Sequence, residues 1–507
     1  MNLHHTSSRP AFPRELSRRD FLKSSGAFAL LVGIGGSLTC RAAAAFPTPQ
    51  DALNYHFLNR TSWAVRPDDM ARVARIGISA YLEEQLAPES LPGFRKTIHP
   101  SSVWRIPRKR LLKNDNGGNL AFKGLLRGFV KRTTSSPAQL YERVVEFWSD
   151  HFNIASEELD IDVLDFQRAV IRPLALGKFR DLLIATAQHP AMLQYLDNFL
   201  NVAEHPNENY AREVMELHTL SVDGGYTETD VKEVARALTG WTTDYDFWGE
   251  GFHFDENTHD FGAKTVLGTV IPAGGGIEDG MTVLQMLADS AATAHFVCRK
   301  LAVRFVSDAP PAALIDQMTA TWAANDGDIK AVLRTMFLSN EFNASAGLKF
   351  RRPLDYFIGA LRMTGTVFTD FWYQEYLLEK LGQVPYGWHP PNGFPEPAAA
   401  WANANGLLER WNTAQVVTDD ALTAAPGDGL KTRLDEIIGP ARTAGALVDR
   451  CALQLLAQPL DPALRAQFVS FVADGGDENT HITRAIREEK LGPFCGLLLA
   501  SPLFQWR

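Results

Sequence analysis

The densest stretch of chemically specific residues is 207–241, where two helix-like runs flank the pair Gly224-Gly225. At about 100° per residue, the first run places His218 near the middle of a broad apolar face. Its opposite face is polar, yet that face includes Leu220. A helix that mixes its faces in this way is buried on both sides, and buried polar groups need partners. The sequence therefore predicts the functional centre in this stretch.

The polar face of the first run is suited to acid–base chemistry. Glu213 and Glu216 lie three residues apart on that face, where partial burial shifts the pKa of a carboxylate. We expect His218 or Glu216 to act as general acid or base. The alternative is an ordinary ion-paired face, because Arg212 has a glutamate four residues away on each side. The predicted acid–base site comprises His218, Glu216, Glu213, Arg212 and Asn209.

Cationic and aromatic side chains near this centre are candidates for substrate binding. Arg212 and Lys264 are suited to hold an anionic group of a substrate. The other interpretation of the Gly224-Gly225 region is a simple helix end, with glycine as the left-handed cap. The predicted substrate-binding residues are Lys264, Tyr210, Tyr226 and Trp241.

Three histidines raise the question of a metal. His151 lies on the apolar face of a helix predicted over 137–154, and His259-Asp260 lies in a Gly-rich loop. A divalent ion needs three or four N or O ligands from different elements, so His151, His259 and Asp260 are candidate ligands for a divalent metal. No H-E-x-x-H or paired C-x-x-C spacing occurs, and each histidine also fits a hydrogen-bonded core position.

Composition and missing motifs exclude several classes of function. The net charge of −9 argues against nucleic-acid binding, which requires a basic surface. Neither the Walker nor the dinucleotide glycine spacing occurs near Gly224, and no serine lies in a G-x-S-x-G turn. The cysteines Cys298, Cys451 and Cys495 lie in apolar helical runs and predict buried thiols rather than a disulfide framework.

Residues 1–45 have the pattern of a twin-arginine export signal. Ser17–Lys23 contains the paired arginines, and an apolar run over 26–38 and four alanines at 42–45 follow. We expect the protein to be exported already folded and to be periplasmic or secreted. The signal is either cleaved or retained as an anchor. No later segment has the length or purity of a transmembrane helix.

The remaining chain predicts a mainly α, multi-helical globular protein. Amphipathic runs, Pro/Gly breaks and helix caps, which include Thr48, Thr227 and Asp328, recur throughout residues 46–507. We treat these residues as one helical domain with subdivisions near 280 and 420. Residues 242–276 differ, because aromatic, Gly-rich and alternating patterns indicate an irregular insertion with a small β-hairpin. A Pro- and aromatic-rich segment, 385–396, fits either a rigid wall at a binding site or a connector between helices that packs on the core.

Several long motifs resemble the bacterial family catalogued as domain of unknown function 1800. The resemblance implies a mainly helical exported protein, with no established activity. It also implies a partner, an exported sulfatase-like protein of the family numbered 1501, in a shared pathway on an extracellular polymer. The family commonly has Asn where this chain has Asp150, and Pro where it has Phe261. The matching motifs are ENYAREVMELHTLSVDGGYTETDVKEVARALTGW, FWSDHF, HDFGAKTVLG, CRKLAVRFV, DGDIKAVLRTMFLSNEF, KFRRPLDYFIGALR and GWHPPNGFPE.

Two hypotheses follow. The first is an exported enzyme acting on an extracellular polymer or anionic substrate, with its site at His218 and its polar neighbours. The second is a non-catalytic binding or assembly factor for the sulfatase-like partner, in which the same residues form a core network.

Overall fold

The computed structural model describes residues 46–156, 159–243, 251–368, 371–418 and 430–507, the side chains of Leu430 and Lys431 excepted. The predicted signal, 1–45, lies outside the described residues, as does position 420. Position 280 lies inside the helix Ile277–Asp289. The described chain is mainly helical with only small antiparallel strand pairs, which confirms the predicted fold class.

The helices before the strand insertion are short or of medium length. In chain order they are α1 (Pro49–Thr61), α2 (Pro67–Ile76), α3 (Ile78–Leu86), α4 (Phe94–Ile98), α5 (Arg108–Leu112), α6 (Gly117–Ser135), α7 (Gln139–His151), α8 (Asp160–Phe166), α9 (Arg172–Leu174), α10 (Phe179–Ala187), α11 (Pro190–Tyr195), α12 (Glu208–Glu213) and α13 (Glu228–Ala237). Two π-helical turns interrupt this series at Gln167–Ile171 and Val214–Thr219.

The helices after the insertion are α14 (Ile277–Asp289), α15 (Ala291–Phe305), α16 (Ala312–Ala324), α17 (Ile329–Phe337), α18 (Asn340–Asn343), α19 (Pro353–Thr364), α20 (Phe371–Leu381), α21 (Ala398–Trp401), α22 (Ala404–Thr418), α23 (Leu434–Ile438), α24 (Ala444–Leu456), α25 (Pro462–Val472), α26 (Arg484–Ala500) and α27 (Pro502–Gln505). Among the described residues, no helix is long and apolar enough to cross a membrane.

The strands form three antiparallel pairs. In the insertion predicted over 242–276, β1 (Trp241–Thr243) pairs with β2 (Phe252–Phe254), and β3 (Lys264–Val266) pairs with β4 (Thr269–Ile271). The insertion thus has two strand pairs rather than one hairpin. Elsewhere β5 (Val367–Phe368) pairs with β6 (Leu430–Lys431).

Local sequence signals explain where several helices begin. The hydroxyl of Thr48 accepts from the amide of Asp51 at the start of α1, and Pro49 follows in the first turn. At α13, Thr227 and Asp230 form the reciprocal hydrogen bonds of a capping box. At α17, the carboxylate of Asp328 accepts from the amide of Ala331. These caps agree with the helix starts expected from the sequence.

The described chain divides into two compact units. The larger comprises Phe46–Met363, Leu378–Arg410 and Trp506–Arg507, and the smaller comprises Thr364–Leu377 and Trp411–Gln505. All predicted site residues belong to the larger unit.

Helix α7 of the larger unit is buried on both its apolar and its polar sides. Val144, Phe147 and Trp148 supply the apolar contacts, while Arg143 and Glu146 are buried as well. Charged groups without water require partners of opposite charge. The protein core near α7 therefore has to contain further charges.

The partners of α7 form a buried ionic network centred on Arg352. Its guanidinium lies 2.5 Å from Glu146, 2.9 Å from Asp150, 3.2 Å from Glu396 and 3.4 Å from Asp355. A single cation thereby joins α7, α19 and the segment that precedes α21.

Three further arginines complete this Arg352 network. Arg143 and Arg507 approach Asp355 to 2.8 and 2.9 Å, and these charges hold the pKa of Asp355 well below its usual range against the effect of burial. Arg304 pairs with Glu396 at 2.7 Å and also with Glu146. The network compensates charges that would otherwise be costly to bury.

We expect Asp355→Asn to lower the unfolding free energy by about 3–5 kcal/mol, because three guanidinium groups lose their shared counter-ion while they remain buried. Denaturant unfolding followed by circular dichroism measures this loss. The control is Glu83→Gln, which removes an exposed carboxylate that accepts two hydrogen bonds from Arg334 and should cost less than about 1 kcal/mol. Similar losses for both variants would contradict a stabilising role of the network.

Candidate functional site

The first run of 207–241 folds as α12 followed by the π-helix Val214–Thr219. The amide of Leu220 donates to the carbonyl of Met215, five residues earlier, so the side chains turn by less than the 100° assumed from the sequence. As a result Leu220, expected on the polar face, is buried. π-turns of this kind occur frequently at functional sites.

His218 lies on the buried side of this π-helix and is completely enclosed. Among the described residues, neither of its ring nitrogens has a hydrogen-bond partner. Its ring centroid lies 5.0 Å from that of Phe152 and 6.0 Å from that of His151. Burial, together with the charge of Lys300, lowers the pKa of His218 to about 3. His218 is therefore neutral at physiological pH.

His151, at the end of α7, connects the backbone of His218 with Lys300. Its Nε2 lies 3.1 Å from the carbonyl oxygen of His218, and its Nδ1 lies 2.9 Å from Nζ of Lys300. A carbonyl oxygen only accepts, so Nε2 carries the proton and Nδ1 presents a lone pair. Burial and the charge of Lys300 hold the pKa of His151 well below its usual range. Lys300 therefore donates to a neutral imidazole.

Lys300, on α15, differs from the two buried lysines of the same unit. Lys264 lies 2.7 Å from Asp279, and Lys349 lies 2.6 Å from Asp308. Among the described residues, no carboxylate oxygen lies within 4.0 Å of the half-buried Lys300 amine. Loss of hydration lowers the pKa of Lys300 to about 8, while the more distant charge of Asp150 acts in the opposite direction. About a tenth of this amine is therefore unprotonated at about pH 7, far more than for an ordinary lysine.

The segment 385–396, which we call the wall, is attached to the end of α7. Nδ2 of Asn153 donates to the carbonyls of Trp388 and Pro390, both at 2.8 Å. The hydroxyl of Tyr195 donates to a third carbonyl of the wall, that of His389. Three carbonyls of this irregular segment thus have side-chain partners, which fixes its backbone next to His151.

Gly393 brings the wall into direct contact with α7. Its φ of 71° lies in the left-handed region, and a Cβ atom there would overlap the carbonyl oxygen of Asp150. A cavity of about 10 Å³, the volume of one water molecule, is lined by Asp150, Asn153 and neighbouring residues. Burial raises the pKa of Asp150 to about 6, opposed by the charge of Arg352.

The predicted acid–base face is ion-paired in the structure. Arg212 makes two hydrogen bonds of 2.8 Å to Glu228 and one of 3.2 Å to Glu208, and it lies 3.9 Å from Glu216. Asn209 donates to Asp197 at 3.3 Å. At Arg212 the observed contacts agree with the alternative of an ordinary ion-paired face, because glutamates already compensate its charge.

Glu213 and Glu216 remain half-buried on this face. Burial and the neighbouring charge of Glu216 raise the pKa of Glu213. Burial raises the pKa of Tyr226, and the neighbouring Glu216 carboxylate raises it further. These carboxylates are placed apart from the buried side of the π-helix that contains His218.

Two predicted substrate-binding aromatics are core residues. Tyr210 and Trp241 are buried, and neither the Tyr210 hydroxyl nor Nε1 of Trp241 has a hydrogen-bond partner among the described residues. The indole of Trp241 occupies the space where Gly280 lacks a side chain. In this structure both are closed off from a substrate.

His259, Asp260 and Lys264 form a second cluster that attaches the strand insertion to α14. Nε2 of His259 and Nζ of Lys264 lie 3.2 and 2.7 Å from the same oxygen of Asp279. Asp260 pairs with Arg236 at 2.6 Å. The amine of Lys264 is buried and compensated, so it is not available to hold an anionic substrate group.

The metal site expected from His151, His259 and Asp260 does not form among the described residues. His151 contacts Lys300 and the His218 backbone, whereas His259 bonds to Thr239 and the insertion cluster. Over the same part of the chain, no group of three or more His, Cys, Asp or Glu is arranged to hold a metal ion. The structure joins His151 with His218 and separates them from His259.

Three residues of the site were not predicted from the sequence: Lys300, Asn153 and Tyr195. Lys300 stands among buried Val297, Leu301 and Arg304 on α15, and a basic residue at the edge of a buried stripe is the one available signal. Its partner His151 is 149 positions away, a distance that helical periodicity does not bridge.

A comparison with family models shows which family the chain belongs to. A family model described as "Protein of unknown function (DUF1800)" matches residues 56–506. The chain belongs to the DUF1800 family. Comparisons with curated proteins and with solved structures gave no significant match.

We expect Gly393→Ala to destabilise this DUF1800 protein by about 2 kcal/mol or more, because the new methyl overlaps the Asp150 carbonyl at a positive φ. Gly382→Ala is the matched control, since Gly382 has a φ of 79° but an open Cβ position, and it should cost about 1 kcal/mol. Denaturant unfolding measures both. Equal costs would show that the wall does not depend on this contact.

We expect His218→Gln to make stability less dependent on pH. The folded pKa of His218 lies below its unfolded value of 6.5, so the unfolded state binds the extra proton. Unfolding free energy is therefore lost as the pH falls from about 6.5 toward about 3, and at about pH 5 this loss amounts to about 2 kcal/mol.

Unfolding free energies at about pH 7 and about pH 5 test this expectation, since Gln has no proton to gain in that range. His205→Gln, at an exposed position, is the control and should keep the wild-type pH dependence. An unchanged pH dependence in His218→Gln would mean that His218 is not held neutral.

Proposed function

We propose that the protein is an exported enzyme that acts on an extracellular polymer, with the Lys300 amine as its reactive group and the neutral imidazole of His151 as the acceptor of its hydrogen bond. One observation carries this proposal: the amine of Lys300 donates to the lone pair of a neutral imidazole at 2.9 Å and has no carboxylate within 4.0 Å among the described residues. An unprotonated amine near neutral pH is suited to proton transfer or nucleophilic attack.

The surroundings of Lys300 support a role in chemistry. The residue is half-buried, while His218, whose ring lies 6.0 Å from that of its partner His151, is enclosed and has no hydrogen-bond partner among the described residues. A buried polar group without a hydrogen-bond partner calls for a structural or functional explanation. A lysine with a shifted pKa beside such a group is typical of active sites.

The wall supports a polymer as substrate. Its backbone is held by Asn153 and Tyr195, and the indole rings of Trp388 and Trp401 are half-buried beside it. Fixed aromatic surfaces bind with little loss of conformational entropy. Export, expected from the residues 1–45, would bring the site to extracellular material.

A second candidate function is the assembly factor for an exported sulfatase-like protein. The ion pairs of two predicted substrate-binding cations favour this assembly factor. Arg212 pairs with Glu228 and Lys264 pairs with Asp279, so both cations stabilise the fold and are not available to bind a substrate. In this alternative Lys300 has no chemical role, and its replacement leaves the function intact.

We expect Lys300 to be the most rapidly acetylated lysine at about pH 7.5, since a far larger fraction of its amine is unprotonated than for an ordinary lysine of pKa about 10.5. Limited treatment with acetic anhydride followed by peptide mass spectrometry gives the rate for each lysine. The exposed Lys232 is the internal control. The rate at Lys300 should level off above about pH 8, whereas that at Lys232 should continue to rise.

Lys300→Met then separates the two candidate functions. If the protein is the proposed enzyme, the rate at which it releases fragments from bacterial polysaccharides should fall about 100-fold or more in Lys300→Met. The control Lys232→Met should retain the wild-type rate. Acetylation of Lys300 at the rate of Lys232, or full function of Lys300→Met, would contradict the enzyme and favour the assembly factor.

A further inference from the structure

We infer that the Lys300 amine forms an imine with aldehyde or ketone groups, so that the site takes carbonyl compounds as covalently bound substrates. This inference rests on the proposed function and specifies its substrate class. It follows from the arrangement of the hydrogen bond, the apolar contact and the two carboxylates around Nζ.

The hydrogen bond to His151 leaves the amine able to attack. Nδ1 of His151 is an acceptor, because Nε2 donates to the carbonyl oxygen of His218. Lys300 therefore uses an N–H for this contact, and in the neutral amine the nitrogen lone pair remains free. The amines of Lys264 and Lys349 differ, because each lies within ion-pair distance of a carboxylate.

The apolar contact keeps water away from part of the amine. Nζ of Lys300 lies 5.5 Å from the centre of the Phe296 ring and 2.9 Å from Nδ1 of His151. Desolvation of this kind activates lysine as a nucleophile. The Lys300 side chain as a whole is half-buried.

Two carboxylates favour the cationic intermediate. Asp150 and Glu396 act on Lys300 through their charges but lie beyond 4.0 Å of Nζ. Their charges raise the pKa of Lys300 against the effect of burial, and they would stabilise a positive iminium nitrogen at the same place in the same way.

The reaction balances without any oxidant or reductant. The nitrogen lone pair attacks the carbonyl carbon, the C=O π electrons move to oxygen, and one proton passes from nitrogen to that oxygen. The oxygen of the resulting carbinolamine takes up a proton from solvent and leaves as water, while the nitrogen lone pair forms the C=N bond, which gives a positively charged iminium. The ammonium form of Lys300 first has to release a proton to solvent, and in the neutral amine an N–H still donates to Nδ1 of His151.

Reductive trapping tests the inference directly. The full-length protein is incubated with glycolaldehyde and sodium cyanoborohydride at about pH 7, and peptide mass spectrometry measures the secondary amine at each lysine. We expect modification of Lys300 at about tenfold or more the rate of the exposed Lys232. The wild-type protein supplies both values, so the result does not depend on whether a variant folds.

Modification of Lys300 at or below the rate of Lys232 would overturn the imine. If acetylation is nonetheless fastest at Lys300, the proposed enzyme stands with the amine as a base alone. If neither reagent prefers Lys300, the proposed function and the imine both fail. A Lys300→Arg variant has to lose the excess modification while that of Lys232 stays unchanged.

Discussion

The structure depends on charges that are buried together. Arg352 alone joins Glu146 and Asp150 of α7 with Glu396 of the wall, over sequence separations of up to 206 residues. Loss of water makes each of these charges unfavourable alone, and mutual compensation makes their common burial tolerable. Such a network holds one arrangement of the helices, since a displaced helix would leave a buried charge without its partner.

The same network reaches the candidate site. Asp150 bonds to Arg352, precedes His151 on α7 and contacts Gly393 of the wall. Its charge, with that of Glu396, acts on Lys300 from more than 4.0 Å. The network therefore has two effects, because it fixes the end of α7 against the wall and sets the electrostatic field at the amine. Substitutions in the core should alter the reactivity of Lys300 even where they do not touch it.

The sequence predicted the helical class, the caps at Thr48 and Thr227, and the buried position of His218, because each depends on local periodicity or a short motif. It did not predict which residues the candidate site residues contact. The π-helix changes the angle between successive side chains, which the prediction took as 100°. The face assigned to Leu220 was therefore wrong. Lys300 meets His151 only through tertiary packing of α15 on α7, which no pattern within one helix encodes. The expected association of His259 with His151 failed because Asp279, absent from the expected site, binds His259.

The central claim is that burial lowers the pKa of Lys300 to about 8, so that about a tenth of its amine is unprotonated at about pH 7. Carbon NMR of protein labelled at lysine Cε, with the resonance assigned by its loss in Lys300→Arg, measures that protonation directly. The account predicts a titration midpoint near 8 for this resonance, well separated from the other lysines. A midpoint near 10.5, the ordinary lysine value, would contradict it.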